Sequence, residues 1–130
     1  MYQQWKWIGI ILILATLLVG CSSSVQPQAA ALDPAKITLK TIPSEPVVGK
    51  TEIVLDLRDQ KDQPLTGAKV EVSADHIDMS GMTLGGAATE QGNGIYAIIA
   101  DFNMSGTWRI TVAVRKENLD FKKDFELKVQ

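Results

Sequence analysis

Two hydrophobic regimes divide the chain. From Ile8 to Val19 the residues are almost all aliphatic, broken only by Gly9, Ala15 and Thr16. From Ala35 onward, apolar and polar positions alternate with a period of two. The last segment reads most plainly. Phe121, Lys123, Phe125, Leu127 and Val129 fall on one face, and Lys122, Asp124, Glu126 and Lys128 on the other. Lys123 alone breaks the alternation. Trp108, Ile110, Val112 and Val114 alternate in the same way with Arg109, Thr111, Ala113 and Arg115. A strand covered on one side and wet on the other produces this pattern. Further strands are predicted over Ile37–Ile42, Glu52–Arg58, Ala68–Ala74 and Gly94–Phe102, with a weaker one within Thr83–Thr89.

Turn chemistry separates these runs at short intervals. Pro43 to Gly49, Asp59 to Pro64, Asn103 to Gly106 and Lys116-Glu117-Asn118 each interrupt the alternation. Gln91-Gly92-Asn93-Gly94 is a hairpin signal, because Asn and Gly tolerate positive φ. No stretch has the 3.6-residue period of an amphipathic helix. Six to seven short strands at this spacing predict an all-β, immunoglobulin-like antiparallel β-sandwich. A single-sheet barrel is the alternative.

The aliphatic run carries a different message. It is about a dozen residues, short of the roughly 20 that a spanning helix needs. Lys6 and the N-terminal amine precede it, and Leu18-Val19-Gly20-Cys21 follows it. A charged start, an apolar core and a small residue before a cut form a secretory signal pattern. Leu-Val-Gly-Cys resembles the lipobox of bacterial lipoproteins. That resemblance implies cleavage after Gly20 and attachment of diacylglycerol to Cys21, with long acyl chains such as palmitate. Each buried methylene then contributes about 0.8 kcal/mol to attachment. The expected organisation is a signal peptide over 1–20, a flexible lipid-anchored tether over 21–34 and one β-sandwich domain over 35–130. The expected location is extracytoplasmic, on the outer leaflet of the cell membrane, or on an outer membrane where the cell has two. An uncleaved membrane anchor is the competing reading.

Charge narrows the partners. Lys6 is the only charged side chain of the first 20 residues, so the remainder carries 12 Lys+Arg against 15 Asp+Glu. Nothing resembles a basic stripe, and nucleic-acid binding has no electrostatic support. Catalysis has little support either. There is one histidine, His76, no second cysteine, no Gly-rich phosphate loop and no nucleophile elbow. The chain is read as a non-enzyme.

One cluster is chemically distinctive. His76, Met79 and Met82 fall in His-Ile-Asp-Met-Ser-Gly-Met, and Met104 lies in a later turn. Thioethers are soft ligands that select Cu(I), and imidazole accepts Cu(I) and Cu(II). A His-x2-Met-x2-Met loop is long enough to wrap one ion, with Met104 adding a ligand where the fold brings it near. The same methionines also suit plain apolar packing. Gly106 is expected to allow a tight turn, and Trp108 and Tyr96 to fill the core.

The ordered set Pro64-Leu65-Thr66-Gly67-Ala68-Lys69-Val70, Met79/Met82, Gly94-Ile95-Tyr96 and Phe102-Asn103-Met104-Ser105-Gly106-Thr107-Trp108 resembles the YtkA-like family, which is related to FixH-type domains. Pro46-x-x-Gly49 fits its beginning. The resemblance covers roughly Pro43 to Val114. It implies an immunoglobulin-like extracytoplasmic domain, copper handling, and a membrane-protein partner in oxidase assembly or metal efflux. The family's methionine segment usually carries a Met-Pro-x-Met-like run and often a second histidine; here proline is lacking and His76 stands alone. Two functions therefore compete: a Cu(I)-binding or Cu(I)-delivery module, and a metal-free interaction module of a membrane complex.

Overall fold

The computed structural model describes residues 36–130. The signal-peptide, lipidation and tether assignments, Cys21 included, lie outside the described residues. Eight strands follow one another: β1 (Ile37–Ile42), β2 (Gly49–Leu57), β3 (Lys69–His76), β4 (Thr83–Ala87), β5 (Thr89–Gly92), β6 (Ile95–Phe102), β7 (Gly106–Lys116) and β8 (Leu119–Val129). They form two antiparallel four-stranded sheets, in the orders β1-β2-β6-β5 and β4-β3-β7-β8. These are the A-B-E-D and C-F-G sheets of an immunoglobulin sandwich, with β4 added beside strand C. The expected fold class is thus observed, with one strand more than the pattern suggests. Thr83–Thr89 reads as a single weak strand, but the chain changes sheets at Ala88, whose amide bonds to Val70 O at 2.9 Å. β4 then pairs with β3, and β5 with β6.

The inward-facing rows build the core. Ile53, Leu55 and Leu57 of β2, Val70, Val72 and Ala74 of β3, and Trp108, Ile110, Val112 and Val114 of β7 are all buried. Tyr96 and Phe102 of β6 complete the largest fully buried side chains. β7 is central in its sheet, so its whole alternate row is covered. β8 is an edge strand, and its row from Leu119 to Leu127 stays half-buried, with only Val129 fully inside. The misplaced Lys123 keeps its ammonium 5.0 Å from the Phe125 ring, so its stem lies along the sheet while its charge stays near water.

Local chemistry sets the turns. Asp59 Oδ1 accepts the amides of Lys61 at 2.8 Å and Gln63 at 2.9 Å, which rolls the chain over between β2 and Pro64. Asn93 and Gly94 take φ of 53° and 76°, and Gly92 pairs with Ile95. A two-residue loop with both φ values positive is the hairpin that an Asn-Gly pair favours.

The Tyr96 hydroxyl joins the two sheets. It donates to Leu65 O at 3.0 Å and accepts from the Ala68 amide at 3.1 Å, pinning the segment that leads into β3. Burial pushes this hydroxyl above the usual tyrosine range, with the Ala68 amide opposing the shift. The folded state therefore holds the proton more tightly than the unfolded chain. That contribution is present below the ordinary tyrosine value and is lost as pH rises through the folded one. Tyr96→Phe is expected to cost about 1–3 kcal/mol in denaturant unfolding, because it strands two backbone groups. It should also remove the tyrosine-linked part of the alkaline decline.

Strand direction sorts the loops onto two ends. Lys36, the β2–β3 segment, and the 93–94 and 117–118 turns lie at one end. Loops 43–48, 77–82 and 103–105, with Gln130, lie at the other. Five of the six large exposed apolar residues among those described, Ile42, Val47, Val48, Ile77 and Met79, belong to this second end; the sixth, Ile99, lies within β6.

Candidate functional site

β3 and β7 pair residue by residue, and their last pair is His76 with Trp108. This pair makes the floor of the second end. The His76 amide bonds to Met82 O at 3.2 Å, which closes loop 77–82, and the Thr83 hydroxyl donates to Asp75 across the same closure. The Ile77 amide bonds to Thr107 O at 3.0 Å, tying that loop to the start of β7. Loop 103–105 is therefore its neighbour.

His76 is 8% exposed, and its ring is fully engaged. Nδ1 faces the Asp78 amide at 3.3 Å, and an N–H can only donate, so Nδ1 accepts. The ring proton then sits on Nε2, which donates to Ser105 O at 3.1 Å. Trp108 stands edge-on to the imidazole, 5.1 Å between centroids. A built Cβ on Gly106 would collide with Nε2 and lie 3.0 Å from Cε1, so glycine is what lets loop 103–105 close over the ring.

The methionines differ from the histidine and from one another. Met79 is 46% exposed at the tip of loop 77–82. Met82 is half-buried at the loop's closure. Met104 is half-buried against the core, and its carbonyl accepts the Trp108 indole N–H at 3.3 Å. All four sequence-predicted residues thus share one end of the sandwich. They divide into three thioethers on two adjacent loops and an imidazole whose two nitrogens hold those loops together. For His76 to reach an ion, one of its two hydrogen bonds must open. Among the described residues, no group of three or more His, Cys, Asp or Glu is placed to hold a metal.

The sequence reading missed the apolar rim of this end and the roles of Ser105 and Asp78. Val47-Val48, two consecutive apolar residues inside a turn, was a usable signal. Ser105 and Asp78 act through their backbones, so no side-chain pattern could have shown them.

A family model described as YtkA-like matches residues 29–113. The chain belongs to the YtkA-like family. The match takes in β1 to β6 and most of β7; β8 lies beyond it. No curated protein matches the chain. Among solved structures, this YtkA-like chain is similar to the adhesin InvE of Yersinia pseudotuberculosis, with a TM-score of 0.55 and 21% identity over 76% of the chain. It spans only 27% of that adhesin. It is also similar to the soluble domain of PmoD from Methylocystis sp. ATCC 49242 (Rockwell), with a TM-score of 0.50 and 15% identity. That likeness covers 72% of this chain and 89% of the PmoD domain. At these identities the resemblance is one of fold.

Proposed function

We propose that this YtkA-like chain is a non-enzymatic, lipid-anchored extracytoplasmic module that binds Cu(I) at its methionine-bearing end and passes it to a membrane-protein partner. Met79, Met82 and Met104 supply the thioethers, and His76 acts by holding the two loops in place. The observation that carries the reading is that fold topology brings loops 77–82 and 103–105 side by side, so thioethers from separate turns share one end of the sandwich. Soft donors of this kind suit Cu(I). Transfer then needs only ligand exchange, with no redox step. Oxidase assembly and metal efflux are the settings in which such a partner is expected.

The geometry of attachment fits delivery. The described chain starts at the opposite end, at Lys36. Residues 21–36 reach at most ~50 Å when fully extended, and the 11-residue β7 adds about 36 Å of sandwich. A lipid on Cys21 therefore holds the methionine end within roughly 9 nm of the membrane. The apolar rim of Ile42, Val47, Val48 and Ile77 favours a second reading, a metal-free docking end for a membrane protein.

A Cu(I) competition titration of residues 25–130 against a chromophoric chelator separates the two. Met79→Leu with Met82→Leu conserves volume and costs less than about 1.5 kcal/mol per site. The copper reading expects stoichiometric binding that this pair abolishes while the domain stays folded. Binding unchanged by the pair, or absent from the parent protein, leaves the docking reading.

A further inference from the structure

We propose that β8 is a self-association edge, through which two copies of this chain pair antiparallel about a two-fold axis at Asp124. This edge is independent of copper binding at the methionine end. β8 is 11 residues long and pairs along its whole length with β7. Among the described residues, no strand pairs with its other edge.

The direction of its free groups follows from the hairpin. Glu117 and Asn118 form a two-residue loop closed by Lys116 and Leu119. Such a loop is closed by a hydrogen-bonded pair, and bonded pairs alternate from there. The odd-numbered residues of β8 therefore bond to β7. Asp120, Lys122, Asp124, Glu126 and Lys128 point their N–H and C=O groups away from it. Gln130 continues this series, and its outward groups are taken by the loop before β2. Its amide bonds to Pro46 O at 2.9 Å, and its carbonyl accepts from the Val48 amide at 3.0 Å. That loop caps one limit of the edge, and the 117–118 turn sets the other. The open stretch is Asp120–Lys128, and its midpoint is Asp124.

Charge selects the same register. A row of charges on an edge strand usually discourages pairing, but this row is complementary to its own reverse. With Asp124 on the axis, Asp120 of each copy faces Lys128 of the other, and Lys122 faces Glu126. A two-residue slip one way sets Lys122 against Lys128 and Asp124 against Glu126. A slip the other way sets Asp120 against Glu126. Asp124 facing itself is the one unfavourable pair; each copy's carboxylate accepts the Thr111 hydroxyl at 2.8 Å.

The apolar face of β8 points the same way. Leu119, Phe121, Phe125 and Leu127 lie towards the core yet are only half-covered. The short β1, six residues against eleven, closes the facing sheet on its own. A paired strand from a second copy extends the sheet and shields this row. The interface is a single strand pair, smaller than a standard stable interface, so the dimer is weak and concentration-dependent.

The test is sedimentation equilibrium of the full-length chain in a mild non-ionic detergent over a concentration series. The wild type is expected to show a monomer–dimer equilibrium. Lys128→Asp should leave monomer throughout, since it sets two aspartates against each other at both ends of the pairing. Asp120→Lys together with Lys128→Asp reverses both pairs and should restore the dimer. Asp124→Asn removes the central repulsion and should tighten the dimer severalfold. The substituted side chains are exposed, and circular dichroism checks that each variant stays folded. A wild type that stays monomeric across the series overturns the proposal. So does a dimer indifferent to Lys128→Asp, which would place the contact on another surface or on residues 1–35.

Discussion

Trp108→Ala is expected to lower the stability of the domain by about 3–5 kcal/mol, the range for truncating a buried Trp. Trp108 is fully buried. Its ring meets Phe102 edge-on at 5.1 Å and His76 at the same distance, and its indole N–H holds Met104 O. The substitution opens a cavity beneath the methionine-bearing end and frees loop 103–105 in one step. Against a total of about 5–15 kcal/mol for a domain of ordinary stability, such a loss leaves the fold marginal. Denaturant unfolding followed by circular dichroism measures it. A Trp108→Ala protein as stable as the parent would show that the ring only borders the core. The local consequence is separable, because Trp108→Phe keeps most of the apolar volume while removing the N–H donor to Met104.

Gly106→Ala is the second large effect, expected to cost about 2–6 kcal/mol. Gly106 sits at φ 132°, where a side chain is strained; such strain costs of order 1–3 kcal/mol. Overpacking adds about 1–3 kcal/mol, because the new Cβ lands on the His76 ring. To relieve the clash the imidazole must leave Ser105 O, and the tie between the two methionine loops goes with it. A double-mutant cycle with His76→Ala isolates this coupling. If the ring is the obstacle, Gly106→Ala costs clearly less once the ring is absent. Equal costs in both backgrounds would mean that the backbone alone objects to the substitution.

Trp108 and His76 mark the limits of what local pattern reveals. Trp108 lies in an unbroken alternation with Ile110, Val112 and Val114, so its burial follows from the pattern alone. Which face each β8 side chain takes, though not how far it is covered, follows in the same way, as does the Asn93-Gly94 turn, because pleat and turn chemistry are local. Thr83–Thr89 is harder. Its glycines and short side chains carry little alternation, and nothing in them marks Ala88 as the point where the chain leaves one sheet for the other. His76 is legible as a soft-metal candidate by residue type and spacing, but its burial is not. That depends on a carbonyl from Ser105, an amide from Asp78 and a ring from Trp108, two of which are backbone groups with no sequence signature.

The sequence by itself determined an all-β sandwich, its main strands, its Asn-Gly hairpin and the membership of one His/Met segment, because period-two patterning and turn residues act over a few positions. It also determined the self-complementary order of charges along 120–128. Tertiary structure alone decided that Met104 shares an end with the Met79/Met82 loop, that His76 spends both nitrogens on protein, and that β8 lies at an edge with half its apolar row uncovered. Each of these rests on pairing between strands far apart in the chain, and such pairing is selected by the closure of the whole core.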